Sequence, residues 1–595
     1  MPELSAAAKA RMVRHFKKTG REKVPATNEL VRILELPRRV WEDDPELPRF
    51  TQMATKYLKL AQGTQELWPV QAKALQELHD MEGMYGPIPA GKGKTLVTFL
   101  APVVLEAERP LLVVPAKLRD KTIREFAALG QHWKQHAGMQ IISYEKLSRV
   151  NGTAFLQNYR PDLLIFDESH RLKNPSAAVT RKVEHYMEAF PDTCALCATG
   201  TSTKRSLFDF AHTMRWSLPK HYPLPRSPEE LGIWANVVDE IKVHENRSPG
   251  DPGALLKLCN DLEKSRGRQG VRTALRRRIH ETPGVVSCEM DEAEHADTSI
   301  NVELMLEDGY GQEVHRLVAG LQEGYLPTGD VYLVEGNERQ ALATRWRVMR
   351  TLTSGFWYDW DPKPPQPWME LRAQWRKAVR GIIEERIPGL ESEALIARAA
   401  ASGKINQAIH DLYIRWRAVR GEHKWNTVPV WVDDSIIERV ARWVKNHQGI
   451  VWVSEVALGQ RLEQELGLPY FHRMGKDRLG RYIESWESRN GSVVASVQAN
   501  GEGRNLQYQW SDNLVISPPP TGTVWEQLIA RTHRPGQNAD EVWVEVVIGC
   551  RVEWECWRQA IRDAWYASHI EGKKRLTLAT IDQKFRLPAG DGRLW

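Results

Sequence analysis

The sequence predicts an α/β protein with two lobes, each a doubly wound parallel sheet, and with helical insertions. Apolar runs typical of buried strands alternate with helical patterns from about Leu67 to Leu218, and again from Trp443 to Val547. Such alternation is typical of parallel sheets covered by helices on both faces. Between these stretches, roughly 226–430, the periodicity is helical and is interrupted by the strings RSPGDPG and DWDPKPPQPW. The length of 595 residues suggests three or four domains.

The individual elements follow from local patterns. In the second stretch, GIVWVSE, SVVASVQ, NLVISPP and DEVWVEVVI predict strands, and ALGQRLEQELG predicts an amphipathic helix. Thr298–Leu306 alternates like a strand and is expected to open the second lobe. The string RVEWECWRQAIRDAWYASHIEGKK predicts a helix that braces this lobe. The expected domains are a basic N-terminal helical extension (1–60), a first lobe (61–225), a helical middle segment (226–430), a second lobe (431–550) and a C-terminal helical brace (551–595).

Composition is typical of a large soluble protein. The chain is 42% hydrophobic and 27% charged, has no run of about eighteen apolar residues, and begins without an apolar secretion core. We therefore expect a cytoplasmic protein with no membrane partner. Six cysteines are too few for a disulfide framework. Cys194 and Cys197 form a CxxC inside a predicted strand, TCALCATG, without a second zinc-spaced pair, so core thiols are favoured over a zinc site.

Two carboxylates follow an apolar run in the first lobe. Leu163 to Phe166 predicts a buried parallel strand that delivers Asp167 and Glu168 to the carboxyl-terminal edge of the sheet. Carboxylates in this place hold a metal ion and activate water in phosphoryl transfer. By itself an apolar strand that ends in Asp-Glu is common, so the interpretation needs a phosphate-binding loop upstream.

That loop is IPAGKGKT, Ile88 to Thr95. The backbone N–H groups of a glycine-rich turn can wrap phosphate, and a helix predicted from Leu96 to Leu105 adds its positive end. In this pattern Lys94 reaches the β- and γ-phosphates, and Thr95 binds Mg²⁺ together with Asp167. Ile88 stands where the common pattern has its first glycine. The glycine-rich core that would surround the phosphates consists of Gly91, Lys92, Gly93, Lys94 and Thr95.

A third string, EQLIARTHRPGQ, lies more than three hundred residues downstream of the carboxylates. Arg531 and Arg534 are three residues apart, which predicts that both guanidinium groups share one face of a helix. Arginines neutralise the charge of a phosphoryl transition state. The carboxylates and the arginines are thus predicted to be two halves of one ATP site.

These strings, taken together, resemble the motifs of superfamily 2 nucleic-acid-dependent ATPases, and in detail the Swi/Snf-like branch of DNA translocases in its bacterial and phage style. DESHRLKN is similar to the DEAH box of that branch, and the ending HRPGQ is its most specific motif. The resemblance covers roughly 60–225 and 430–550. It implies two RecA-like lobes that hydrolyse ATP with Mg²⁺ and move along DNA.

The resemblance implies roles for further residues. LWPVQ resembles an adenine-recognition element in which Gln71 reads the base. ATGTSTKRSLFDF resembles the coupling motif, with Ser202 in place of the usual proline, and SVQANGEGRNLQ resembles motif five, with Arg504 in place of an apolar residue. The residues implied are Thr199, Gly200 and Thr201 for coupling, Gly501 and Gln527 for the nucleotide, and Lys117, Ser143, Tyr144, Ser454 and Ser496 for a nucleic-acid backbone.

Basic and aromatic clusters leave alternatives open. Lys and Arg gather at Arg11 to Lys23 and at Lys264 to Arg278, and such clusters either bind phosphate backbones or form solvated and structural helix faces. Tryptophans at 346, 357, 360, 368 and 375 lie among Arg and Lys. Tryptophans in such surroundings stack on bases or, more commonly, pack helices together.

The expected function is therefore that of an ATP-dependent DNA helicase or double-stranded DNA translocase. Its partner would be DNA, with replication, recombination or repair proteins as further partners, in the cytoplasm of a bacterium or of a phage-infected cell. Two alternatives stay open at this point. One is an RNA-directed helicase, because a grip on the backbone does not select the sugar. The other is a non-catalytic scaffold that clamps DNA, although intact Lys94 and Glu168 favour catalysis.

Overall fold

The computed structural model describes two compact units, and each contains one parallel sheet. The first unit comprises residues 1–289, 379–399 and 566–573, and the second comprises 290–378, 400–565 and 574–595. Within these bounds the described residues are 23–41, 44–88, 93–149, 151–200, 205–239, 249–287, 299–306, 310–328, 338–385, 387, 389–421, 426–501, 503–534, 536–549 and 551–571.

The sheet of the first unit has five strands, all parallel, in the order β1-β5-β4-β2-β3. Alternate residues of its central strands face two different cores: Leu164 and Phe166 pack in one, and Leu163 and Ile165 in the other. Both faces are thus covered, which explains why the strands read as unbroken apolar runs. The strands are β1 Gly83–Gly86, β2 Pro110–Val114, β3 Gln140–Ser143, β4 Leu163–Asp167 and β5 Cys194–Ala198.

The helices of the first unit connect and cover this sheet. The helix predicted after the phosphate loop runs from Lys94 to Val104, so it begins two residues earlier than expected. The helices are Asn28–Glu35, Leu47–Leu58, Pro69–Met81, Lys94–Val104, Ala116–Leu129, Tyr144–Ser148, Gly152–Tyr159, Ala178–Ala189, Ala211–Ser217, Pro228–Val238, Asp261–Ser265 and Arg268–His280.

The second unit contains a six-stranded parallel sheet in the order β10-β11-β9-β12-β13-β6. The strand predicted at 298–306 is present as β6 and pairs with β13. The predicted strands of the second stretch are present too, and a separate antiparallel pair joins β7 to β8. The strands are β6 Ser299–Leu306, β7 Phe356–Asp361, β8 Asn426–Trp431, β9 Gly449–Val453, β10 Tyr470–Phe471, β11 Val493–Ser496, β12 Asp512–Val515 and β13 Glu541–Ile548.

The helices of the second unit include the predicted amphipathic helix, observed as Val456–Leu466. They are Gln312–Glu323, Glu338–Leu352, Gln407–Val419, Ser435–Asn446, Val456–Leu466, Val497–Asn500 and Gly522–Ile529. Three further helices cross the boundaries of the two units along the chain: Gln366–Glu384, Glu393–Ala401 and Arg551–Glu571.

The fold is therefore mixed α/β with parallel sheets, as predicted. The predicted middle segment, 226–430, does not coincide with a single unit, because part of it belongs to the first unit. Trp234 and Leu275, on two of its helices, are fully buried and pack in the same core as Phe166 of β4. No helix among the described residues is both long enough and apolar enough to cross a membrane.

Candidate functional site

The carboxyl-terminal ends of β1, β5 and β4 lie side by side in the first unit. Gly86 is in register with Ala198, and Ala198 with Asp167. The backbone N–H of Thr199 donates to the carbonyl of Gly86 at 3.0 Å, which ties the segment after β5 to the segment after β1. One sheet edge therefore carries the predicted phosphate loop, the carboxylates and the start of the coupling motif.

Of the phosphate loop, Ile88 and the residues from Gly93 onward are described, whereas 89–92, with Gly91 and Lys92, lie outside the described residues. Gly93 has a φ of +73°, which favours glycine, and a Cβ there would lie 1.9 Å from Nε2 of Gln71, so a larger residue would displace the Gln71 amide. Gln71 Nε2 donates to the carbonyl of Gly93 at 3.3 Å, while Oε1 accepts from the backbone N–H of Trp68 at 2.8 Å. Gln71 thus contacts the loop, and its reading of adenine stays a prediction.

Lys94 is the first residue of its helix and is buried. Its Nζ donates to the carbonyl of Ile88 at 2.9 Å, which fixes the position of the ammonium group next to the end of β1. Thr95 follows at the first turn and is half-buried, and its carbonyl accepts from the hydroxyl of Thr98 at 2.8 Å. The positive helix end and an ammonium group thus meet at one place, as anion binding requires.

Asp167 ends β4 and lies near Glu168 and Lys94. Burial and the neighbouring Glu168 charge raise the pKa of Asp167 to about 7, while the Lys94 ammonium opposes this rise. The carboxyl of Asp167 therefore sits where a positive charge would be strongly favoured. Its backbone carbonyl accepts a hydrogen bond of 2.8 Å from the hydroxyl of Tyr144.

Glu168 has left-handed backbone angles, φ 55° and ψ 49°, which are strained for a residue with a side chain. Such a conformation costs of the order of 1–3 kcal/mol and persists where its surroundings impose it. Its Oε2 lies 3.2 Å from Nδ1 of His170, and that same nitrogen lies 3.1 Å from the hydroxyl of Thr199. His170 thus joins the predicted water-activating carboxylate to the predicted coupling motif.

The contribution of His170 is missing from the sequence analysis. Its spacing of two residues from Glu168 was the available signal, but its link to Thr199 depends on the pairing of β4 with β5. Gly200 follows Thr199 and is half-buried, whereas Thr201 lies outside the described residues.

The residues predicted to grip nucleic acid in the first unit lie near this edge. Ser143 ends β3, is buried, and caps the next helix by accepting from the backbone N–H of Lys146 at 3.0 Å. Tyr144 is buried too and bonds to Asp167. Lys117, early in the helix Ala116–Leu129, is half-buried. The side chains of Ser143 and Tyr144 form hydrogen bonds within the first unit, so they support the structure of the site. Their binding of nucleic acid stays a prediction.

In the second unit, the prediction that Arg531 and Arg534 share a helix face is wrong. The helix ends at Ile529, and tight turns follow, with Arg531 N–H bonded to the carbonyl of Leu528. Proline at 535 disfavours helical backbone at Arg534, and Gly536 has a φ of +89°, so the chain does not return to helix after these turns.

The turn nonetheless brings the two arginines together. Arg531 is buried, and it donates to the carbonyls of Gln527 at 2.7 Å and Arg504 at 2.9 Å. Arg534 is half-buried and donates to the same Arg504 carbonyl at 3.2 Å and to Oδ1 of Asn505 at 2.6 Å. Burial lowers the pKa of Arg534. Residues of the two strings SVQANGEGRNLQ and EQLIARTHRPGQ therefore form one cluster.

Three further predicted residues lie at or near strand ends in this unit. Ser496 ends β11, is buried, and pairs in register with Val453, the last residue of β9. Ser454 follows β9, and its hydroxyl accepts from Arg350 at 3.3 Å. Gly501 is buried behind the helix Val497–Asn500, and a Cβ there would lie 2.5 Å from the carbonyl of Val497.

The basic run from Lys264 to Arg278 is largely engaged within the first unit. Arg272 donates to the carbonyl of Val238 at 2.6 Å, and Arg278 donates to that of Pro37 at 2.9 Å. Arg277 pairs with Glu263 at 2.8 Å. These contacts support the interpretation of this run as a structural helix face. In the other basic cluster, Arg11 to Arg21 lie outside the described residues.

Tryptophans of the middle segment pack against aromatic neighbours in the second unit. Trp375 is fully buried, with its ring 5.2 Å from that of Tyr413, and Trp368 lies 5.4 Å from Trp416. These contacts support helix packing over base stacking. The CxxC lies on β5, as predicted, and burial raises the pKa of the Cys197 thiol to about 12.

No protein-family model matches this chain, and no curated protein matches it.

Proposed function

We propose that this chain is a nucleic-acid-dependent ATPase of superfamily 2, in the Swi/Snf-like branch, and acts as a DNA helicase or double-stranded DNA translocase. The observation that carries the proposal is the meeting of Lys94, Asp167, Glu168 and Thr199 at one edge of the parallel sheet, beside a Gly-Lys-Thr turn that opens a helix. Three strings that are far apart in sequence thus contribute an ammonium group, two carboxylates and a hydroxyl to one place, which supports a single site.

The chemistry of these side chains fits ATP and Mg²⁺. Hydroxyl and carboxylate oxygens are ligands that Mg²⁺ prefers, so Thr95 and Asp167 would hold the ion. The raised pKa of Asp167 reflects burial and the neighbouring negative charge of Glu168, and a bound divalent cation would compensate both effects. Bound Mg²⁺ supplies charge neutralisation at the phosphates.

The remaining steps belong to this chain's own residues. Lys94 binds the phosphates, and Glu168 orients the attacking water and takes up its proton. His170 holds the Glu168 carboxylate in place and relates its position to Thr199. In the two RecA-like lobes that we propose, Arg531 and Arg534 stabilise charge on the γ-phosphate, and Gly501 and Gln527 bind the nucleotide.

DNA is the proposed partner, gripped through its backbone without sequence preference. Lys117, Ser143, Ser454 and Ser496 lie at or near strand ends of the two sheets, where loops of parallel α/β folds carry their ligands. The HRPGQ motif supports DNA over RNA. Proteins of replication, recombination or repair are proposed as further partners, and the cytoplasm as the location.

A direct test measures ATP hydrolysis with and without DNA or RNA of unrelated sequences. We expect DNA of any sequence to stimulate turnover and rising salt to suppress the stimulation first. Glu168→Gln should lower turnover by about a hundredfold or more while nucleotide still binds. Exposed Glu188, changed to Gln, is the matched control and should retain full turnover. Absence of hydrolysis by the unmodified chain would leave the scaffold alternative, and preference for RNA would favour the RNA helicase.

A further inference from the structure

A short segment between β10 and β11 in the second unit exposes an unusual density of positive charge. From Arg473 to Tyr482 it carries four cationic side chains and one carboxylate, Asp477. Arg473, Arg478 and Arg481 are exposed. Such a surface attracts polyanions.

The segment is a preorganised turn, because the Asp477 carboxylate holds it together from inside. Asp477 is buried, and Oδ1 accepts from the backbone N–H groups of Leu479 at 3.0 Å and Arg481 at 2.9 Å. Its Oδ2 accepts from Nε of Arg481 at 2.8 Å. Lys476 and Tyr482 form an antiparallel bridge, and Gly480 has a φ of +80° at the turn. Little conformational entropy is left to lose when such a turn binds a partner.

Apolar side chains are exposed on the same turn. Leu479 is 67% exposed, Met474 46% and Tyr482 43%. Single exposed apolar residues are ordinary, whereas three within ten residues, on a turn that also exposes arginines, are a feature typical of binding surfaces. The Nζ of Lys476 lies 4.6 Å from the centre of the Tyr482 ring and fixes one side of it.

We propose that the turn from Arg473 to Tyr482 binds DNA, with Arg473 and Arg478 on phosphates and Leu479 against the bases. This inference deepens the proposed function and rests on DNA being its partner. The charge is complementary to a phosphodiester backbone, and apolar side chains beside arginines are what proteins press against base steps. Arg478 is available for this role, because its side chain is 76% exposed and its contact with Glu463 is long, at 3.8 Å. Arg473 forms no salt bridge with any described residue.

The test is equilibrium binding of the full chain to duplex DNA over a range of salt concentrations. Arg473→Gln and Arg478→Gln should each lower the slope of log affinity against log salt by about one, since each removes one phosphate contact. Arg49→Gln changes an exposed arginine on the first unit and is the matched control, for which slope and affinity should be unchanged.

Leu479→Ser separates the apolar contact from the charges. It should weaken DNA binding by about tenfold, as expected for one lost buried leucine, with the salt slope unchanged. Leu262→Ser, at a leucine 64% exposed on the first unit, should bind like the unmodified chain.

The outcomes distinguish this inference from the proposed function. Unchanged slopes for both arginine variants, or equal binding of double-stranded RNA, would overturn the DNA-binding turn even if ATP is hydrolysed. If the unmodified chain does not hydrolyse ATP, the proposed function is overturned. The slopes of log affinity against log salt would still decide whether the turn binds DNA.

Discussion

The hydroxyl of Tyr144 donates a hydrogen bond of 2.8 Å to the backbone carbonyl of Asp167. Tyr144 opens the helix that follows β3, and its ring stacks on Phe166, with 6.4 Å between the ring centres. Its burial and the nearby Asp167 charge raise its pKa well above the ordinary tyrosine value, so the hydroxyl stays protonated and able to donate. A residue in a segment predicted to touch nucleic acid thus supports the residue predicted to hold the metal.

Tyr144→Phe removes that support without removing the ring. We expect ATP turnover to fall about fivefold, in line with the loss of about 1 kcal/mol for one hydrogen bond. We also expect that a higher Mg²⁺ concentration is needed for half-maximal turnover. Steady-state hydrolysis over a Mg²⁺ titration measures both.

Tyr159→Phe is the matched control, because Tyr159 also donates to a backbone carbonyl, that of Pro110, at 3.1 Å. Its loss should leave the Mg²⁺ requirement unchanged. The same shift in both variants would mean that Tyr144 contributes general stability and does not position Asp167.

A second prediction concerns the contact between His170 and Thr199. Thr199→Val keeps the shape of the side chain but removes the hydroxyl that lies 3.1 Å from Nδ1 of His170. We expect the ratio of DNA-stimulated to basal turnover to fall severalfold, because Glu168 loses its link to the coupling motif. Thr180→Val, at another buried threonine whose hydroxyl bonds to the carbonyl of Leu172, should keep the ratio. An unchanged ratio for Thr199→Val would argue against a coupling role.

Local sequence patterns predicted the strands but could not predict the contacts between motifs. β4 and β9 are recognisable because strands buried on both faces read as unbroken apolar runs. The contact of His170 with Thr199 spans 29 positions and exists because β4 pairs with β5. The helix end at Ile529 was missed because residue spacing describes a face only while the helix continues.

Charge was the least predictable feature from sequence. The run from Lys264 to Arg278 is compatible from its sequence with either a phosphate-binding surface or a structural helix face, and Arg272 and Arg278 are buried and donate to backbone carbonyls. Arg473 and Arg478, which the sequence analysis did not single out, are exposed. Counting cations along a chain cannot separate these cases, because long-range packing decides which guanidinium groups find internal acceptors.

The raised pKa of Asp167 predicts a pH-dependent stability in the absence of metal. With a pKa of about 7, the folded chain keeps this proton over a range in which an ordinary aspartate, with a pKa near 4, has lost it. The stability that comes from the protonated carboxyl is therefore complete below about pH 4 and is lost as the pH rises through about 7.

Asp167→Asn cannot ionise, so in chelator its melting temperature should exceed that of the unmodified chain by a margin that grows from about pH 5 to pH 8. Thermal unfolding at several pH values measures this margin. Added Mg²⁺ should stabilise the unmodified chain at pH 8 more than Asp167→Asn, because the cation takes the place of the proton. A margin that does not change with pH would show that Asp167 ionises normally in the folded chain.

The last prediction separates the two arginines that share the Arg504 carbonyl. Arg531 is buried and donates to two carbonyls, so Arg531→Ala should lower the thermal stability of the second unit as well as turnover.

Arg534 is half-buried, and its guanidinium is the better candidate to reach a phosphate. If it stabilises transition-state charge, Arg534→Ala should bind nucleotide and DNA almost normally yet lose about a hundredfold or more of DNA-stimulated turnover. Arg489→Ala, at a side chain 80% exposed on the same unit, controls for the loss of one positive charge. Single-turnover hydrolysis at saturating DNA gives the comparison, and an Arg534→Ala rate equal to that of the control would remove Arg534 from the chemistry.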